Sequence, residues 1–86
     1  MTDTQLKTLA ALSQDLLRVA MGRYRNQIKM SERFTHEAKA RLNEISDFAL
    51  RGAIMASLNS THERSAEDLL MYSTLVKNIV LSAELS

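Results

Sequence analysis

Apolar residues recur along this chain in steps of three and four, the period of an amphipathic helix. In the first segment Leu6, Leu9, Leu12, Leu16, Leu17, Ala20 and Tyr24 share one face, with Lys7, Asp15, Arg18, Arg25 and Lys29 opposite. Thr2 and Gln5 stand at capping-box spacing, which starts this helix near residue 3. In the second segment Phe34, Ala38, Leu42, Ile45, Ala49, Gly52 and Ala56 line up, and in the third Leu69, Tyr72, Val76, Ile79 and Ala83 do. The pattern predicts helices over residues 3–29, 34–58 and 62–84.

The connections are signalled by caps. Ser60 and Glu63 repeat the capping-box spacing just after Asn59, which can close the preceding helix in a left-handed conformation. The tripeptide Thr-His-Glu occurs at 35–37 and again at 61–63, each copy with the form of an N-cap followed by a first-turn carboxylate. The first junction is less sharply marked. Met21, Tyr24, Ile28, Ser31, Thr35, Ala38, Leu42 and Ile45 hold one heptad phase across it, so residues 3–58 could run as one long helix. A turn between Lys29 and Thr35 is favoured, because polar Ser31 and Thr35 would otherwise occupy the seam. The expected fold is all-α: an antiparallel three-helix bundle, or a long helical hairpin with coiled-coil-like packing, in an oligomer and as a single domain over residues 1–86.

Composition sharpens the fold class. The chain has no proline, and its only glycines are Gly22 and Gly52, whereas sheets draw heavily on both residue types for their turns. With 86 residues and no cysteine, one small core must serve without disulfides or a thiolate metal site. A reducing compartment fits that composition. The first residues lack the basic head and apolar run of a secretory signal. The most apolar stretch, Leu69 to Leu85, is interrupted by Lys77, Asn78 and Glu84 and does not read as a membrane span. A cytoplasmic protein is expected.

A surplus of apolar positions carries the functional expectation. Leu50, Ile54 and Leu58, with Met55 beside them, form a second stripe nearly opposite the first stripe of their helix. Leu70, Leu81 and Leu85 do the same in the last helix, with Met71 adjacent. A helix that is apolar on all sides must be buried on all sides, and in a three-helix monomer each helix has only two neighbours. The expected partner interface is therefore Leu50, Ile54, Met55, Leu58, Leu70, Leu81 and Leu85. It would bury these faces against a second copy, as in a homodimer, or against another protein in a hetero-oligomer.

Other chemistry finds little support. His36–Glu37 and His62–Glu63 lack a further ligand at helical spacing, and the two helix starts would lie at opposite ends of the bundle. No nucleophile elbow or phosphate loop is present in the sequence. No catalytic residue, metal site or cofactor is expected, and the chain does not read as an enzyme. Charge does suggest an alternative. Residues 18–41 carry seven basic side chains against Glu32 and Glu37, a balance of +5, while the remainder balances to −4. Arg23, Arg25, Lys29, Arg33 and Arg41 could thus contact a polyanion, as in a small nucleic-acid-associated regulator. No motif in the chain is specific to one family. The leading expectation is a non-enzymatic helical module for protein–protein interaction: a small chaperone, adaptor or assembly subunit.

Overall fold

The computed structural model describes residues 2–45, 47–60 and 64–85. Among them are four helices rather than three: α1 (Asp3–Tyr24), α2 (Ile28–Glu44), α3 (Arg51–Asn59) and α4 (Ser65–Leu85). Helix makes up 86% of the described residues and none is in a strand, so the all-α class holds. The chain measures 38 × 21 × 19 Å, its long axis a little more than the roughly 33 Å of a 22-residue α1.

The start of α1 follows the sequence signal. The Thr2 hydroxyl accepts from the Gln5 amide at 3.2 Å, and the Gln5 side chain accepts from the Thr2 amide at 3.0 Å. Two donors without intrahelical partners are thereby satisfied. The first turn falls at residues 25–27, earlier than the expected break between Lys29 and Thr35, and both Ser31 and Thr35 lie inside α2. Asn26 makes the turn possible. Its φ of 56° is left-handed, which asparagine tolerates better than most residues. The Asn26 amide then donates to Arg23 O at 3.3 Å and the Gln27 amide to Gly22 O at 2.8 Å, a Schellman closure. Asn59, expected to play that part, instead ends α3 before an extended Ser60. The second Thr-His-Glu copy and Glu63 lie outside the described residues.

The expected second helix is interrupted. Ile45 leaves helical geometry at φ −124° and ψ 71°, and short turns from Ile45 to Phe48 and from Phe48 to Arg51 lead into α3. Arg51 then folds back, donating to Leu42 O at 3.2 Å and Asn43 Oδ1 at 2.9 Å, and so closes the end of α2. The interruption changes the helical phase. Ala38, Leu42 and Ile45 are buried before it, but Ala49, Gly52 and Ala56, the expected continuation, are exposed after it. Ile54 and Leu58 turn inward in their place.

Cross-links fix the directions. Thr8 meets Glu44, Asp15 meets Arg41 and Gly22 faces Ser31, so α2 runs antiparallel to α1. Ser13 meets Ser73 and Arg23 meets Ser65, so α4 is also antiparallel to α1. Short α3 packs on α2 and α4, across the core from α1. The core gathers Leu9, Leu12, Leu16 and Val19 of α1 with Leu42, Ile54, Leu58, Leu69, Val76 and Val80. At the α1–α4 seam the Ser73 hydroxyl donates to Ser13 O at 2.7 Å, and the Ser13 hydroxyl returns the bond to Ser73 O at 2.9 Å. Small side chains and mutual donation let two helices approach closely there without leaving a buried hydroxyl unpaired.

Candidate interaction surfaces

α4 carries the clearest candidate. Leu69, Val76 and Val80 are buried, and Tyr72 and Ile79 pack beside them. The outward face would ordinarily be charged. Between Asp68 and Glu84, however, Lys77 is the only charged residue. Leu70, Met71, Leu75 and Leu81 are 37–48% exposed, and Leu85 is 89% exposed. Leu17 of α1, 42% exposed, extends this surface. It follows Ser13 by one helical turn, so it lies on the α4 side of α1, level with Leu69 and Leu70. Leu70, Leu81 and Leu85, expected in an interface, are thus exposed in the single chain. Met71 was legible only as a neighbour of that stripe, and Leu75 was missed because it falls between the two stripes of its helix.

The other half of the expected interface is corrected. Ile54 and Leu58 are 0% and 3% exposed within the single chain, and Leu50 and Met55 pack partly buried against the same core. With the second helix broken, α3 covers the space between α2 and α4. The stripe that had no partner in a three-helix bundle becomes the inward face of a fourth helix.

The expected basic cluster is also largely taken up internally. Arg23 donates to Ser57 O at 3.0 Å, Leu58 O at 2.8 Å and Ser65 Oγ at 2.7 Å. It therefore satisfies carbonyls at the end of α3 while holding the start of α4. Burial lowers its pKa from the ordinary arginine value, yet a guanidinium stays charged at any physiological pH. Arg41 donates through Nε to Asp15 Oδ2 at 2.8 Å. Burial pushes the Asp15 carboxyl above its usual range; the bond and charge of Arg41 pull the other way but do not win. Arg33 is 3.8 Å from Glu37 in an exposed i,i+4 pair and, with Arg18, lies over the Phe34 ring. Arg25 and Lys29 are exposed. Arg23 and Arg41, expected as polyanion contacts, thus also tie the fold together, Arg41 through a buried carboxylate.

A cleft of about 1290 Å³ opens between the N-terminal half of α2 and the facing ends of α3 and α4. Gly22 and Arg23 form part of its lining, Ile28, Lys29, His36 and Lys39 stand on the α2 side, and Leu58, Ala66 and Glu67 lie opposite. His36 is exposed. Among the described residues no three His, Asp or Glu side chains come together as a ligand set, and no helix is long and apolar enough to cross a membrane. His62 lies outside the described residues.

No family model matches the chain, and neither a curated protein nor a solved structure does.

Proposed function

We propose that this protein is a non-enzymatic helical interaction module, a small chaperone, adaptor or assembly subunit of the cytoplasm, that works by burying the outer face of α4 against another protein chain. One observation carries the reading: α4 is apolar on the side it buries and apolar again on the side it exposes. Exposed apolar surface on a small protein marks an interaction site when it gathers in a patch, and α4 exposes five large apolar side chains around Thr74, Asn78 and Ser82. The cysteine-free composition supports the compartment. The polyanion alternative has less support, since two of its five residues are held by partners in their own chain.

The test is a pair of charged substitutions read for both fold and association. Leu75→Glu and Leu81→Glu should retain wild-type helicity by circular dichroism, because both side chains already meet solvent. Each should lower the solution mass of the wild-type assembly, or release a bound protein partner. Association that survives both substitutions would overturn the reading.

A further inference from the structure

α2 and α4 both pack antiparallel on α1 and do not touch each other. The gap between them, over α1, is the place of a fourth bundle helix, and α3 fills only part of it. Its 9 residues span about 13 Å, against about 25 Å for the 17 residues of α2. α3 sets out from the C-terminal end of α2, where Arg51 meets Leu42 O, and its last carbonyls end on Arg23. The length left over is about 12 Å, or roughly two helical turns. It coincides with the cleft of about 1290 Å³ along the N-terminal half of α2, whose floor is Gly22 and Arg23. We propose that this cleft receives an acidic amphipathic helix of a partner protein, which continues the line of α3 and completes the bundle. The site is separate from the outer face of α4 and does not depend on it.

Three observations define the occupant. The first is size and shape. The volume exceeds the roughly 300–1,000 Å³ of small-molecule pockets, and a groove walled by helices suits a helix laid lengthwise. The second is charge. Among the described residues, Arg23, Lys29, Arg33 and Lys39 line the cleft against Glu32 and Glu67, a balance of four to two. The three acceptors of Arg23 are all neutral oxygens, so they leave its charge on the floor uncompensated. A cationic groove attracts and orients a chain of the opposite sign.

The third observation is apolar surface inside that charged frame. Tyr24 and Ile28, each more than half exposed, stand at the end of the cleft beside the α1–α2 turn. An occupant with an apolar face removes both from water; one that is only anionic does not. This favours a peptide over a nucleic acid. A continuous polyphosphate would also run past Glu32 and Glu67, whereas a helix can place leucine and glutamate where each is matched.

The test uses a fluorescein-labelled peptide of about 14 residues, with leucine at i, i+3, i+4 and i+7 and glutamate on the remaining face. It would be titrated with the full chain and followed by anisotropy. A dissociation constant of about 10–100 µM is expected for so short a contact. The same peptide with lysine in place of glutamate should bind at least about tenfold more weakly, and so should oligothymidylate. Lys29→Glu combined with Arg33→Gln should also weaken the glutamate peptide at least about tenfold. Ile28→Ser should weaken it about fivefold. These side chains are exposed, so circular dichroism should show wild-type helicity in each variant. Leu75→Glu and Leu81→Glu should bind the peptide as wild type does. No binding at high micromolar concentration, equal binding of the two peptides, or tighter binding of oligothymidylate would overturn the inference. Peptide binding lost with Leu81→Glu but not with the α2 substitutions would move the peptide to the outer face of α4, so that the cleft fails and the proposed function stands. If the α2 substitutions release the peptide while association of the wild-type chain ignores Leu75→Glu and Leu81→Glu, the proposed function fails and the cleft stands.

Discussion

Ile54 and Leu81 hold matching places in the sequence, each on a second apolar stripe nearly opposite the first. The fold treats them oppositely: Ile54 is 0% exposed and Leu81 45%. The difference arises from the chain around them. Ile54 follows the break between α2 and α3 that re-aims its helix, whereas α4 runs unbroken through Leu81 and cannot turn both stripes inward. A surplus of apolar positions therefore has two meanings. It is core when a break lets the chain cover itself, and surface when the helix stays continuous.

The largest expected effect separates those two residues. Ile54→Glu buries a carboxylate with no partner and should cost about 4–5 kcal/mol, while a domain of 86 residues has roughly 4–13 kcal/mol in all. Thermal melts should show Ile54→Glu unfolded or nearly so and Leu81→Glu folded. Equal melting temperatures would erase the distinction.

A second substitution asks how firmly the α1–α2 side of the molecule is fixed. Arg41→Met strands the buried Asp15 carboxylate and should cost about 3 kcal/mol at neutral pH. The sign with pH follows from the raised pKa of Asp15. Its folded state holds a proton more tightly than its unfolded state, so this group's contribution to stability is greatest below the unfolded pKa and declines as pH rises through the folded one. The penalty of Arg41→Met should accordingly shrink as pH falls and the carboxyl protonates. Urea titrations of both chains at acidic and neutral pH would measure this, and a penalty that grows in acid would contradict it.

The smallest effect probes the end of α3. Arg23→Gln removes hydrogen bonds to Ser57 O and Leu58 O, and should cost about 1.5–2 kcal/mol. Helicity should persist, and hydrogen exchange should rise first around the α3–α4 junction. Uniform loss of protection throughout the chain would mean that Arg23 does not act locally.

Much of this was legible in the sequence, for identifiable reasons. The Thr2–Gln5 cap and the shared helix face of Leu9, Leu12 and Leu16 are local signals, and the chain obeys them. The interruption at Ile45 was not legible: no proline or glycine marks it, and Ala49, Gly52 and Ala56 continue the earlier phase on paper. What secures it is Arg51 on Leu42 O, a bond that exists only once the chain has already bent. Arg23 illustrates the same limit at the candidate surface. Its positive charge was visible, but the acceptors that claim it lie 34 and 35 residues away.

The reciprocal serine bonds between α1 and α4 have a consequence in time. They join positions 60 residues apart, whereas the Asn26 turn closes α1 on α2 with three residues. Closing the longer loop forfeits more chain entropy before any contact is gained. The α1–α2 hairpin should therefore assemble early and α4 dock last, making α4 the least committed part of the transition state. A substitution at the serine seam, such as Ser73→Ala, should then act mainly by speeding unfolding and leave the folding rate nearly unchanged in stopped-flow measurements. A slowed folding rate would reverse that order. In a chain built this way, the helix that bears the apolar outer face is also the first to let go.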